Sequence, residues 1–172
     1  MPATVTMLER LGNGQESESS YLHVLSADVF SGSARNYANY AIRVDASGVV
    51  TYSMERWVRW RFEPPFSQVE DIRFWTPNLV VPEGWTLLYG STDDFSIPTN
   101  APSSIAVHEL PTSKPAAPNA GGVPPLQGTD TRYSKWIVLQ ASADDDAEIG
   151  PMLGFEDEDP VGIGYRLDWT ES

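Results

Sequence analysis

Residues 51–90, TYSMERWVRWRFEPPFSQVEDIRFWTPNLVVPEGWTLLYG, decide the fold class of this chain. The stretch holds four of the six tryptophans. It divides into three extended segments, and each of them ends at proline or glycine. Aromatic and β-branched residues favour strands, whereas the proline and glycine breaks favour turns. The pattern therefore predicts an antiparallel β-sheet with a thick aromatic core, although it names no chemistry.

The longest of these segments, residues 49–62, predicts a strand whose two faces differ in character. Successive side chains of a strand point to opposite faces, so alternate residues share a face. Val58, Trp60 and Phe62 share one face, and we expect these three side chains to lie in the core.

Trp57, Arg59 and Arg61 share the opposite face, which we expect to be a cationic and aromatic surface strip. Arginine pairs bidentately with carboxylates and is enriched at protein interfaces. These three residues are therefore the candidates for binding a partner. Two alternatives remain open: stacking of the Trp57 ring on a sugar, and cross-strand ion pairs from the arginines to Glu55 or Glu70.

Outward from this stretch, further apolar segments alternate with turn residues, and the chain as a whole predicts about eight strands. The segment at residues 21–30 fits either a strand or a short helix. We expect an all-β fold: one antiparallel β-sandwich of jelly-roll type spanning residues 1–172, with residues 1–48 as a possible extension. The other predicted strands are Thr4–Leu11, Tyr37–Val44, Val69–Trp75, Trp85–Tyr89 (ended by Gly90), Tyr133–Ala143 and Ile163–Trp169.

Residues 91–131 predict a long loop-rich insertion, because seven prolines interrupt them. Loops of this length are usually functional. We expect this insertion to dock on a partner, so that deleting residues 115–125 leaves folding intact and weakens assembly.

Composition excludes several classes of function. The formal net charge is −13, which repels nucleic acid and anionic membrane surfaces, so we expect neither as a partner. The chain has no cysteine, which excludes disulfides and thiolate chemistry. The sequence shows no secretory signal and no apolar run of membrane-spanning length, and we expect a protein made without export through the Sec pathway.

Catalytic motifs are absent from the sequence. The two histidines, His23 and His108, are far apart in the chain, and neither belongs to a nucleophile or zinc motif. A hydrolase with two facing carboxylates is the remaining enzymatic alternative. We expect a protein that is not an enzyme and that needs no cofactor.

Two acidic clusters, DDDAE at residues 144–148 and EDED at residues 156–159, are the candidates for a metal site. Calcium takes several carboxylate and carbonyl oxygens, and two facing acidic loops could supply them. Asp144, Asp146, Glu156 and Asp157 are the candidate ligands, and a solvated acidic loop face is the alternative.

The order of several segments carries a resemblance to a known class of protein. These segments are TYSMERWVRWRF (51–62), FSQVEDIRFWTPN (66–78), LLYGST (87–92), SSIAVHELPTS (103–113), YSKWIVLQ (133–140) and GYRLDWTES (164–172). Across about residues 50–172 the chain resembles small β-rich structural proteins of tailed bacteriophages and prophages.

The resemblance implies a non-enzymatic virion component, and it brings no catalytic residue. The expected role is capsid decoration, with a neck, connector or tail component as the alternative. The implied partners are other virion proteins, including copies of this chain, and the implied location is the virion, after synthesis in the host cytoplasm. A calcium-braced carbohydrate-binding module is the alternative from a different class.

Overall fold

The computed structural model of this chain describes residues 3–10, 15–19, 22–23, 48–77, 79–81, 83–121, 125–127, 130–147 and 162–171. Within these ranges all regular elements are β-strands, and all strand pairs are antiparallel, which confirms the predicted all-β class. The predicted strand Tyr37–Val44 and most of the segment at residues 21–30 lie outside the described residues. The strands are β1 (Thr4–Arg10), β2 (Glu16–Ser19), β3 (Leu22–His23), β4 (Thr51–Tyr52), β5 (Arg56–Glu63), β6 (Gln68–Trp75), β7 (Trp85–Thr92), β8 (His108–Glu109), β9 (Leu126–Gln127), β10 (Arg132–Tyr133), β11 (Trp136–Ala143), β12 (Gly162–Ile163) and β13 (Arg166–Glu171).

Two antiparallel sheets account for most of these strands. The large sheet has eight strands in the order β2-β1-β5-β11-β7-β8, with β10 also paired to β5 and β4 to β11. The small sheet has three strands in the order β13-β6-β9, while β3 and β12 pair with each other. Jelly-roll connectivity stays a prediction, because several connections run through residues outside the described ranges.

A shared core joins the two sheets face to face. From the large sheet it takes Val58, Trp60 and Phe62, which are at most 1% exposed, and from the small sheet Ile72 and Phe74. The Trp60 ring centroid lies 5.3 Å from that of Phe74, so the aromatic contact crosses between the sheets. The predicted core face of β5 is confirmed, and so is the sandwich arrangement.

A bulge in β6 sets which side chains of the small sheet face this core. Asp71 and Ile72 together lie opposite one residue of β13, between the Arg73–Asp168 and Glu70–Thr170 pairs. Asp71 has a φ of 56°, in the left-handed region, and it is exposed. Since the extra residue shifts the alternation by one, Val69 and Ile72 both reach the core although they are three residues apart.

This bulge predicts opposite effects of two substitutions at Asp71. Glycine adopts a positive φ without a steric penalty, whereas a β-branched residue is strained there by about 1–2 kcal/mol. We expect Asp71→Gly to leave the free energy of unfolding unchanged or to raise it slightly. Asp71→Val should lower it by about 1–2 kcal/mol, as measured by urea denaturation. Equal effects of the two variants would contradict the bulge.

Part of the second face of the large sheet is also buried, because residues 93–107 fold back over it. Trp57, Trp136, Val138 and Ala106 form a second cluster there, with Leu88, Phe95 and Ile105 packed against it. Strand β11 lies between β5 and β7 and is buried on both faces, as its apolar pattern predicted.

Four predicted strand limits are wrong. The expected strand Tyr133–Ala143 is divided into β10 and β11, and the expected strand Ile163–Trp169 is divided into β12 and β13. The covering loop is involved in the other two. The expected strand at residues 49–62 is two strands, β4 and β5, because the chain leaves the ladder at Met54 and the N–H of Glu55 donates to Thr99 O at 2.9 Å. Gly90 does not end β7, which continues to Thr92. A Cβ at Gly90 would lie 1.8 Å from Ile105 O, so glycine is needed for the loop to cross the strand.

The contacts of residues 115–121 argue against the expectation that residues 115–125 are dispensable for folding. The Asn119 side chain accepts from Phe74 N–H at 2.7 Å and donates to Phe74 O at 2.8 Å, and so it occupies one edge of β6. The N–H of Ala120 donates to Ile72 O, and Ala120 is fully buried in the main core. Deletion would remove this edge and part of the core, so we expect it to impair folding.

Candidate functional site

The partner-binding candidates lie in what we call the arginine–aromatic face, on the second side of the large sheet. The Cζ atom of Arg59 is 3.9 Å from the ring centroid of Tyr133 and 4.5 Å from that of Trp136. The Cζ atom of Arg10 is 3.7 Å from the Phe95 ring centroid. At these distances each guanidinium is attracted to its aromatic partner by a cation–π interaction. The face comprises Arg10, Trp57, Arg59, Arg61, Phe95, Tyr133 and Trp136.

Carboxylates from β2 and from β5 itself neutralise two of these arginines. Arg59 Nη2 pairs with Glu16 Oε1. Arg61 Nη2 lies 2.7 Å from Glu18 Oε1, and Arg61 Nε lies 3.1 Å from Glu63 Oε1. The hydrogen bond that Arg61 donates to Glu18 raises the pKa of the Arg61 guanidinium, so the group stays charged. The arginines do form cross-strand ion pairs, as the alternative predicted. Their cross-strand partners are Glu16 and Glu18 and not Glu55 or Glu70.

Trp57 is not a surface residue, which corrects the expectation from the strand alternation. Its side chain is 0% exposed. The ring lies 5.1 Å from Phe95 and 6.2 Å from Trp136, both in edge geometry. Its indole Nε1–H donates to Glu55 Oε2 at 3.2 Å. Because residues 93–107 cover this ring, it offers no platform on which a sugar could stack.

Arg59 and Arg61 are less exposed than a free binding strip requires, although part of the face reaches solvent. The side chains of Arg59 and Arg61 are 22% and 25% exposed, and Tyr133 is 39% exposed. Partner binding through the two arginines stays a prediction, and a partner would have to share them with the glutamates that already pair with them.

Two buried polar side chains fix the covering loop, and sequence reasoning missed both. Gln140 is 0% exposed: its Oε1 accepts from Ser103 N–H at 2.9 Å, and its Nε2 donates to Ser53 O at 2.9 Å and to Ala101 O at 2.8 Å. Glu55 is 5% exposed, and its Oε2 accepts from Thr99 N–H at 3.3 Å. We call Gln140 and Glu55 the loop anchors. A signal existed for Gln140, because a lone polar residue ends the apolar run WIVL.

Only half of the candidate calcium ligands lie among the described residues. Asp144 and Asp146 are exposed, and the Asp144 carboxylate accepts the Asp146 N–H at 3.1 Å, which closes a local turn. Glu156 and Asp157 lie outside the described residues. Within the described ranges no three His, Cys, Asp or Glu side chains form a group that could hold a metal ion.

The structure describes the side chain of one of the two histidines, His108. His108 is exposed on the edge strand β8, with its ring 6.2 Å from that of Tyr89. The side chain of His23 lies outside the described residues.

Comparison of the chain with protein-family models, with curated proteins and with solved structures found no match. Among the residues that the structure describes, no helix is long and apolar enough to cross a membrane.

Proposed function

We propose that this protein is a non-enzymatic structural component of a tailed-phage particle, which decorates the capsid by surface complementarity. The order of segments along residues 50–172 motivates the phage assignment, and the construction of the covering loop supports a binding role. The particle partner would be a capsid subunit, and no reaction is involved.

The observation that carries this proposal is the way in which residues 93–107 are held. The loop anchors bond the backbone at Thr99, Ala101 and Ser103, and the Phe95 ring packs on Trp57. A loop fixed in this way pays little ordering entropy when it binds, and such preorganisation increases affinity. Such a preorganised loop suits a protein that binds to the repeating surface of a capsid shell.

The outer side of this loop carries aliphatic side chains that a shell could cover. Ile97 is 68% exposed and Val107 is 57% exposed. Burying one such side chain at an interface is worth roughly 1.5–3 kcal/mol, which corresponds to about a tenfold or larger change in affinity.

Sedimentation of phage particles tests the proposal. The tagged chain would be expressed in the bacterial host while phage particles are being produced. The lysate would then be separated on a density gradient. We expect the chain to sediment with DNA-filled heads, and we expect Ile97→Asp to reduce the amount bound by about tenfold. Val80→Asp is the matched control, because Val80 is 63% exposed and lies outside the loop.

Two results would contradict the capsid proposal. The first is a chain that stays at the top of the gradient while particles form, which would remove any particle role. The second is a chain that sediments with isolated necks or tails and not with heads, which would favour the connector or tail alternative.

A further inference from the structure

Among the described residues, strand β13 forms a free edge of the small sheet. Strand β13 pairs with β6 on one side, and on its other side it has no strand neighbour among the described residues. Edge strands expose backbone N–H and C=O groups that can pair with another strand. A strand of complementary sequence could therefore pair with this edge.

The backbone groups of Leu167 point outward at this edge, as the hydrogen bonds of its cross-strand partner establish. Leu167 lies opposite Phe74. The N–H and C=O of Phe74 bond to the Asn119 side chain, on the side of β6 away from β13. In an antiparallel ladder, such a residue and its partner form a non-hydrogen-bonded pair, and their backbone groups point in opposite directions. The N–H and C=O of Leu167 therefore point away from β6.

The sequence around Leu167 is complementary to itself when read in the opposite direction. The five residues Tyr165-Arg166-Leu167-Asp168-Trp169 place a cation and an anion on the two sides of Leu167, and an aromatic ring beyond each of them. If two copies paired antiparallel with Leu167 opposite Leu167, Arg166 of each copy would face Asp168 of the other. Tyr165 would then face Trp169. Opposite charges and aromatic pairs directly across a ladder are both stabilising.

We propose that two copies of this chain associate through β13, in an antiparallel pair centred on Leu167. The two small sheets then form one continuous sheet across a twofold axis, as in a self-complementary isologous interface. The outward N–H and C=O of each Leu167 bond to those of the other copy, which is the pairing that their direction requires.

The inner face of β13, and Tyr165 immediately before it, gain cover from this association. Tyr165, Leu167 and Trp169 pack against the main core but are only partly buried. Trp169 lies 5.7 Å from Phe62, and Tyr165 lies 5.7 Å from Trp60, measured between ring centroids. The second copy would place its own aromatic ring beside each of them, which extends the core across the interface.

The outer face of β13 supplies the charge match. Arg166 is exposed, and no ion pair to it is found within the described residues. The Asp168 carboxylate pairs with Lys114, which lowers the pKa of Asp168 below its ordinary value, so it is ionised at neutral pH. The backbone N–H of Trp169 also donates to this carboxylate. In the pair, Arg166 of the second copy would lie beside Lys114 at the Asp168 carboxylate. The backbone N–H of Trp169 would then donate to the backbone C=O of Tyr165 in the second copy.

Two charge-reversal variants test this arrangement, because each puts like charges opposite each other while a mixture restores the match. Arg166→Asp alone places two aspartates across each end of the pair, and Asp168→Arg alone places two arginines there. A mixed dimer of the two variants has opposite charges at both ends. Arg166 is exposed and the Lys114–Asp168 pair lies at the surface, so both variants should keep their thermal stability.

Sedimentation velocity would be measured at concentrations from about 1 μM to about 0.5 mM, in physiological salt so that long-range repulsion is screened. The parent chain should shift from a 19.0 kDa species toward twice that mass. Each variant alone should dimerise at least about tenfold more weakly, and the equimolar mixture should recover the parent affinity to within about threefold.

Three results would overturn the proposal. A parent chain that stays monomeric throughout the range would exclude the pair. If either variant alone dimerised as tightly as the parent chain, the interface would not be the β13 pair. A mixture of the two variants that stays monomeric would lead to the same conclusion. The inference does not depend on the phage proposal, since a dimer that never binds particles would refute only the latter.

Discussion

Replacing Trp60 with alanine is expected to lower the free energy of unfolding by about 3–5 kcal/mol. The side chain is 0% exposed and contacts both sheets, with ring centroids 5.3 Å from Phe74 and 5.7 Å from Tyr165. Truncation therefore removes buried apolar surface and leaves a cavity between two sheets whose backbones cannot close on it. Urea denaturation followed by far-ultraviolet circular dichroism would measure the loss without depending on tryptophan fluorescence.

Val80→Ala provides the comparison for Trp60→Ala, because Val80 is 63% exposed and should change stability by less than about 0.5 kcal/mol. A loss below about 1 kcal/mol at Trp60 would show that its ring is not between the sheets. Since a one-residue slip moves every side chain of a strand to the other face, that result would mean that β5 has the wrong register.

Alternation along β5 predicted its core face correctly, but it could not predict what covers the other face. Period-two alternation is a local property, and it states only which side chains share a side. The covering segment comes from residues 93–107, which carry no regular pattern of their own. Trp57 was therefore expected at the surface although it is fully buried. A strand with large apolar or aromatic residues on both faces, as in β11, was the available signal that the sheet is covered twice.

The ion pairs and the bulge also depend on contacts between distant parts of the chain, which a local sequence pattern cannot predict in full. Arg59 and Arg61 pair with glutamates 43 positions away in the chain, and no spacing rule connects residues so far apart. The bulge left a readable trace, because Val69 and Ile72 cannot both face the core of a regular strand. Of the two acidic residues between them, Asp71 belongs to a type that tolerates a positive φ.

The second large effect is expected at Gln140, whose replacement by leucine should lower the free energy of unfolding by about 2–4 kcal/mol. Leucine keeps most of the volume but makes none of the hydrogen bonds to Ser53, Ala101 and Ser103. A buried backbone group without a partner costs roughly 1–3 kcal/mol, and loop movement that admits water reduces the total below a simple sum. Urea denaturation measures the loss.

Gln140→Leu should also loosen residues 93–107, which can be measured by proteolysis. A purely local packing defect would not change the rate of that proteolysis. Phe95 packs on Trp57 and Trp136, so chymotrypsin should cut after Phe95 slowly in the parent chain and faster in the variant. Gln140→Glu is the matched control for volume. It keeps the acceptor for Ser103 N–H but points an oxygen at the carbonyls of Ser53 and Ala101, so it should destabilise the chain at least as much as leucine does. A mild effect of glutamate would mean that Gln140 fills space rather than holding the loop, and the preorganised surface on which the capsid proposal rests would lose its physical basis.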